Sequence, residues 1–282
     1  MISTEFLDQL TKFHLIVSKR VTSQYAGPRK SIAMGKGIIF KDHRIYAPGD
    51  DFRAIDWRVY ARTDDLYVKN YEEERNLAVH IIVDGSGSMD YGKPRSKFDY
   101  ASMLGVGFAY LALKDNEKFQ FSTFADDISI YQPRRGMGQL AAMVEYLNSR
   151  KPKGKSNFLD MLTKYRKVIR SKSMLILVSD FLYSIEEIRS GIRLLGDNEV
   201  RVIQVLDPVE RNLNLRGDFR LRDSETNDQL VTFVSQRLKA NYQEMMDHHT
   251  AMIDDICTKL GYRFHSITTD SSLFDAFYAI VG

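Results

Sequence analysis

Two short stretches of the chain are almost wholly apolar: residues 77–83, LAVHIIV, and residues 174–178, MLILV. Such runs mark strands buried on both faces of a sheet. Strand-like and helix-like patterns alternate around them. Residues 97–113 carry Phe98, Met103, Leu104, Val106, Phe108 and Leu111 on or near one helical stripe, which Gly105 and Gly107 weaken. Residues 118–124, KFQFSTF, alternate as a half-buried strand does. Helices are predicted over 138–147, 157–169 and 185–195, and a further strand over 200–206, VRVIQVL. This alternation predicts an α/β body: a mainly parallel sheet with right-handed crossovers and helices on both faces.

The two ends of the chain read differently. Residues 219–233 predict a hairpin with its turn near 223–228, forming an insertion near 215–233. Residues 234–259 predict one long helix stopped by Gly261. A strand at 263–267 and a short amphipathic helix at 272–281 follow. Ahead of the body, residues 4–17 predict a helix and residues 18–36 carry few periodic apolar positions. Residues 37–46 and 66–74 read as extended. The predicted division is an N-terminal subdomain with extended segments over 1–75 and an α/β domain over 76–282.

Composition narrows the class. With 282 residues, 44% hydrophobic and 27% charged, the chain can bury a core that needs no disulfide or metal staple. Its single cysteine, Cys257, excludes an internal disulfide framework and a cysteine-based zinc site, and suits a reducing compartment. No apolar run approaches the ~20 residues of a membrane helix. The opening residues also lack the basic-then-apolar order of a signal peptide. The expectation is a cytoplasmic chain without a membrane segment. Net charge is +3, yet residues 12–48 hold eight basic residues (Lys12, Lys19, Arg20, Arg29, Lys30, Lys36, Lys41, Arg44) against the one acid Asp42, or +7 locally. A patch of that sign suits nucleic acid, anionic lipid or an acidic protein face. No arginine-and-aromatic nucleic-acid motif accompanies it, so a solvated face is the favoured reading and nucleic acid is not the expected partner.

The chemistry is concentrated in Asp84-Gly85-Ser86-Gly87-Ser88, directly after the first apolar run. Short oxygen side chains alternate there, and the glycines let the loop turn tightly. One carboxylate with two hydroxyls is a hard-oxygen donor set suited to Mg²⁺, which keeps several waters and asks for few protein ligands. Asp180 follows the second apolar run, and Ser156 precedes a predicted helix in Gly154-Lys155-Ser156-Asn157. In a parallel sheet these loops open on one edge, where ligand sites of open α/β sheets lie. Taken singly, each has a plainer reading: a polar turn at Asp84, a helix N-cap at Ser156, a loop acid at Asp180.

Together they resemble the metal-ion-dependent adhesion site, or MIDAS, of the von Willebrand factor A fold. That family shows Asp-x-Ser-x-Ser after its first strand, a Thr in the second loop and an Asp after its fourth strand. The resemblance implies a von Willebrand factor A-like, Rossmann-like body, with Asp84, Ser86, Ser88, Ser156 and Asp180 as metal ligands. Two positions depart from the pattern. Ser156 stands where the family has Thr, keeping the hydroxyl but losing the methyl that fixes its rotamer. Phe181 stands where many members have Gly.

A second resemblance is more specific. The run Tyr46-Ala47-Pro48-Gly49-Asp50-Asp51-Phe52-Arg53-Ala54-Ile55-Asp56-Trp57, then Ala61-Arg62-Thr63, is similar to the signature of the bacterial family known as domain of unknown function 58. Residues 29–31, 35–40 and 68–75 fit the same pattern, and the likeness covers roughly residues 20–185. It implies a von Willebrand factor A-like body, usually encoded beside a MoxR-type AAA+ ATPase. Physically, Pro48-Gly49-Asp50 reads as a turn, and Asp51 as the cap of a short helix that carries Ile55 and Trp57 inward. Asp50, Arg53, Asp56, Trp57 and Arg62 then form either a docking surface or a buried, salt-bridged joint with the body. The joint is favoured because the sole Trp asks for a pocket.

Enzyme readings find little support. Lys153-Gly154-Lys155-Ser156 is no Walker A loop, since Ser149 stands where its first Gly belongs and a helix precedes it. Gly85-Ser86-Gly87 lacks the flanks of a nucleophile elbow. His80 reads as a core histidine and Cys257 as packing. Adjacent His248 and His249 point about 100° apart on a helix and cannot form an i, i+4 metal pair. The expectation is a non-catalytic, Mg²⁺-dependent protein-binding module whose partner is a MoxR-type AAA+ ATPase or its client. Two alternatives stand beside it: a metal-dependent hydrolase using the same pocket, and nucleic-acid binding through the basic segment.

Overall fold

A computed structural model of the chain describes residues 2, 5–12, 34–35, 39–72, 78–132, 136–215, 217–222 and 229–281. The backbone divides into two units, Arg20–Leu77 and the remainder, Met1–Lys19 with Ala78–Gly282. The first helix, α1 (residues 5–12), belongs to the larger unit. Its Phe6 and Leu10, one turn apart, are buried in that unit's core, and the Thr11 hydroxyl shares a 2.7 Å hydrogen bond with Tyr110 Oη. The subdomain expected over 1–75 is thus corrected at its start. An i, i+4 apolar pair predicts a helix, but not the surface on which it packs. The predicted continuation of this helix beyond residue 12 and most of the basic segment lie outside the described residues.

In the smaller unit, β1 (Met34–Gly35), β2 (Ile39–Ile45) and β3 (Tyr67–Glu72) pair antiparallel in the order β1-β3-β2, with a bulge between Phe40 and Asp42. A 3₁₀ turn, Phe52–Ala54, and the helix α2 (Trp57–Thr63) lie between β2 and β3. Asp51 caps the turn by accepting from Arg53 N at 2.9 Å, and Asp56 caps α2 by accepting from Arg58 N at 3.0 Å. Ile55 is buried and bridges to Val68.

The larger unit continues with β4 (Ala78–Asp84), α3 (Lys97–Lys114), β5 (Phe119–Phe124), β6 (Ile128–Ile130), α4 (Met137–Ser149) and α5 (Phe158–Arg166). Then come β7 (Ser173–Ser179), α6 (Ile185–Arg193), β8 (Glu199–Leu206), α7 (Pro208–Asn212), β9 (Gly217–Arg222), β10 (Gln229–Val234), α8 (Gln236–Lys259), β11 (Arg263–Thr268) and α9 (Leu273–Val281). The sheet order is β11-β8-β7-β4-β5-β6, parallel except for β6 at one edge. The two apolar runs are β4 and β7, neighbours at the centre, each covered on both faces. β5 is fully buried rather than half-buried, because Phe119 and Phe121 pack into the core that holds α4 on one face and Phe124 packs against Phe158 of α5 on the other. The three residues of β6 are too few for a period-2 signal. β9 and β10 form an antiparallel pair, and the expected turn at 223–228 lies outside the described residues.

Alternate side chains of β4 feed two cores. Val79, Ile81 and Val83 join residues of α1, α3, α4 and α9 on one face, while Ile82 joins α5, α6 and α8 on the other. His80 is a core residue, as its place in a buried strand implied. Its Nδ1 lies 2.9 Å from Tyr165 Oη, and burial holds its pKa down at about 4. The glycine that weakened the α3 pattern has a packing reason: a Cβ on Gly107 would lie 1.9 Å from the Phe277 ring of α9.

Candidate functional site

Parallel neighbours end on the same edge, so β4 delivers Asp84 and β7 delivers Asp180 to one rim of the sheet. In chain order these follow the first and fourth strands of the larger unit. The loop ahead of α5 is laced to the Asp84 loop by main-chain bonds, Lys153 N to Gly85 O at 3.0 Å and Gly87 N to Gly154 O at 2.9 Å. All three loops named by the sequence therefore meet. Asp84 is 0% exposed, Asp180 2% and Ser156 8%.

Two hydrogen-bond chains run through the cluster. Tyr183 Oη donates to Asp84 Oδ2 at 2.6 Å and lies 2.6 Å from Ser156 Oγ, so Ser156 donates to Tyr183. Ser88 Oγ donates to Asp180 Oδ2 at 2.8 Å and lies 3.1 Å from Ser86 Oγ, so Ser86 donates to Ser88. Asp84 also accepts from Ser179 Oγ at 2.6 Å and from Ser86 N at 2.9 Å. The three hydroxyls of the predicted set thus direct their protons toward the two carboxylates. Among the described residues, nothing donates to the oxygens of Ser86 or Ser156.

Four participants were not among the sequence-predicted residues: Lys97, Ser179, Tyr183 and Glu210. Lys97 Nζ, on the first turn of α3, donates to Asp180 Oδ2 at 2.9 Å and to Glu210 Oε1 of α7 at 2.7 Å. Its side chain is 0% exposed. Burial opposes the ammonium, but Asp180 and Glu210 outweigh burial and raise its pKa. A lysine just after a capping Ser reads in sequence as a solvated helix start. Glu210 reads as the third residue of a capping box on Asp207, which it is.

The electrostatics are lopsided. Three carboxylates, Asp84, Asp180 and Glu210, meet one ammonium, which leaves two negative charges unmatched in a buried cluster. Burial first, and then the Asp180 charge, push the Asp84 pKa up to about 6 against the bonds from Ser179, Tyr183 and Ser86. Burial and the same two aspartates raise the Tyr183 pKa. Among the described residues no three His, Cys, Asp or Glu side chains form a metal cage by themselves. Any ion here depends on hydroxyl oxygens as well as carboxylates. The uncompensated charge and the unused Ser86 and Ser156 oxygens fit a hard divalent cation of the Mg²⁺ kind.

The second predicted group lies in the smaller unit and is not gathered into one site. Asp50 pairs with Arg44 at 2.6 Å, and Asp56 with His43 at 3.0 Å and Lys69 at 3.4 Å. Arg53 and Arg62 form no ion pair among the described residues. Trp57 does not find the expected pocket in this unit: it is 58% exposed and meets Tyr60 edge-on at 6.0 Å. The Asp56 carboxylate turns inward to the β2–β3 surface, and the next helical position then points about 100° away.

These features define a class of protein: an α/β domain with a mostly parallel six-stranded sheet and a carboxylate–hydroxyl cluster at the carboxyl rim of that sheet. The family described as "Protein of unknown function DUF58" matches residues 42–252, and the chain belongs to it. The uncharacterized proteins Rv1480 of Mycobacterium tuberculosis and Mb1516 of Mycobacterium bovis are each 25% identical over 267 residues, spanning 93% of this chain and 84% of theirs. Among solved structures, BatB from Bacteroides thetaiotaomicron is 16% identical with a TM-score of 0.46, covering 73% of this chain and 97% of its own. An aerotolerance-related membrane protein from Bacteroides fragilis is 17% identical with a TM-score of 0.46, covering 73% and 96%. No helix among the described residues is long and apolar enough to cross a membrane.

Proposed function

We propose that the protein is a non-catalytic recognition module whose binding rim is completed by Mg²⁺ at Asp84, Ser86, Ser88, Ser156 and Asp180. The observation that carries this reading is the buried pair Asp84 and Asp180, under-neutralised and tied to three hydroxyls at one sheet edge. Held there, Mg²⁺ would supply the positive charge that attracts an acidic side chain of a partner. The chain's own residues do the rest. Ser179 and Tyr183 fix Asp84, Ser88 Oγ and Leu182 N fix Asp180, and the buried floor of β4 and β7 keeps both carboxylates at the rim. A partner carboxylate gains a charge-assisted contact there. Likeness to domain of unknown function 58 favours a MoxR-type AAA+ ATPase, or its client, as that partner.

The test is binding of a MoxR-type AAA+ ATPase by calorimetry in Mg²⁺ and in EDTA, with wild type, Asp84→Asn and Asp180→Asn. Each perturbation should weaken the same interaction, and their effects should not add, because all act through one site. Equal binding under every condition sinks the proposal and moves recognition to another face.

A further inference from the structure

Lys97 is the feature of the rim that metal-dependent recognition leaves unused. A fully buried lysine is rare unless paired, and this one is paired twice. Its two partners are held independently. Asp180 accepts from Ser88 Oγ at 2.8 Å and Leu182 N at 3.3 Å, and its carbonyl accepts from Gln204 Nε2 at 3.0 Å. Glu210 accepts from Asp207 N at 3.2 Å, and its carbonyl accepts from Tyr242 Oη of α8 at 2.6 Å. The ammonium therefore sits between a rim carboxylate and a carboxylate that is not part of the rim set. Asp180 Oδ2 already serves both Ser88 and Lys97.

We infer that Lys97 is a tethered cation that competes with the divalent ion for Asp180, with Glu210 as the anchor that keeps the ammonium paired when it yields. This inference rests on the metal reading of the rim. Two cations cannot share one carboxylate oxygen without repelling each other. The ammonium covers a single negative charge where two are unmatched. It thus stabilises the metal-free rim only in part, and a divalent ion must displace it from Asp180. The second bond to Glu210 lets that happen without leaving a buried charge unpaired, which would be strongly unfavourable. Lys97 is then a positioning residue that sets how tightly the rim holds metal. A merely structural salt bridge would weaken the fold when cut and would not tighten metal binding.

The experiment is calorimetric titration with Mg²⁺ of wild type, Lys97→Met, the double variant Lys97→Met/Glu210→Gln, and Asp84→Asn. The double variant removes one positive and one negative charge. It keeps the cluster's net charge and provides a folded protein should Lys97→Met alone fail to fold. Lys97→Met should bind Mg²⁺ on the order of tenfold more tightly than wild type, or more, the scale of removing a like charge a few ångströms away. The double variant should bind more tightly than wild type by a smaller factor, since it frees Asp180 but also loses the Glu210 charge. Mg²⁺ should also raise their melting temperatures further than that of wild type. Asp84→Asn should bind none. Binding by the Lys97 variants with none by wild type also supports the inference, as full occupancy by the ammonium. Equal or weaker binding by the Lys97 variants overturns it while leaving the metal site standing. Absence of binding in every protein overturns both the inference and the metal reading.

Discussion

Asp84→Asn tests the electrostatics of the rim without a partner. The asparagine keeps an oxygen for the Ser86 N–H and offers an amide to the Ser179 and Tyr183 oxygens, so the packing is preserved while the charge is removed. In the folded chain the carboxyl has a pKa of about 6, above the 3.8 of the unsupported group. Between roughly pH 4 and 6 the folded state keeps a proton that the unfolded state has released. The contribution of this group is thus fully present below about pH 4 and is lost as the pH rises through 6. At about 1.4 kcal/mol per unit, the loss is about 3 kcal/mol. The assay is urea unfolding in EDTA from pH 4 to 8, followed by far-UV circular dichroism, since the sole Trp lies in the smaller unit. Asp50 and Asp56, both held down at about 2, titrate in the opposite sense in both proteins and cancel in the comparison. Wild type should lose about 3 kcal/mol relative to Asp84→Asn over that range, and Mg²⁺ should restore stability to wild type alone. Parallel curves for the two proteins would refute the picture of an uncompensated buried carboxylate.

Two further outcomes follow from packing. Fluorescence of the sole Trp separates the two readings of its group: emission near that of tryptophan in water, with Trp57→Ala costing less than about 1 kcal/mol, is the expected outcome for a docking surface, and blue-shifted emission with a cost of ~3–5 kcal/mol is that for a buried joint. Phe181 has a φ of 51° and a fully buried ring 5.5 Å from that of Phe158. Phe181→Gly should relieve about 1 kcal/mol of left-handed strain but lose ~3–5 kcal/mol of packing. Thermal unfolding should therefore show net destabilisation, and a variant as stable as wild type would contradict this.

The centre of the sheet is legible in the sequence because β4 and β7 are buried on both faces, and a short continuous apolar run suits little besides such a strand. The helices around them carry enough turns to show their period. β5 reads as half-buried because Gln120, Ser122 and Thr123 mimic a solvated face, whereas all three are buried. The packing partner of α1 is not legible, since amphipathicity states that a face is buried and not against what. Trp57 finds no pocket within its own unit for a related reason: a large aromatic asks for a pocket on average, and the inward turn of its neighbour Asp56 points it off that unit's surface. At the rim, local spacing points to Asp84, Ser86 and Ser88, and topology to Asp180 and Ser156. Lys97, Tyr183 and Glu210 carry no such signal. Each joins the rim from an element whose local role, whether helix start, loop or capping box, already accounts for its residue type.

The two departures from the von Willebrand pattern, Ser156 for Thr and Phe181 for Gly, are physically connected. A threonine methyl would narrow the rotamer choice of the metal-loop hydroxyl. Here Tyr183 does so from outside, holding Ser156 Oγ at 2.6 Å while donating to Asp84. Tyr183 is placed by Phe158, whose ring stacks on it at 5.1 Å and 18°. Phe158 is also packed by Phe181, edge-on at 5.5 Å. A glycine at 181 would leave Phe158 without that neighbour and loosen the stack that positions Tyr183. The backbone accepts the left-handed conformation of Phe181 because its carbonyl is also held, 2.8 Å from His249 Nε2 of α8. The residue that looks least suited to its φ thus belongs, through Phe158 and Tyr183, to the support of the hydroxyl whose missing methyl was the weakest point of the predicted site.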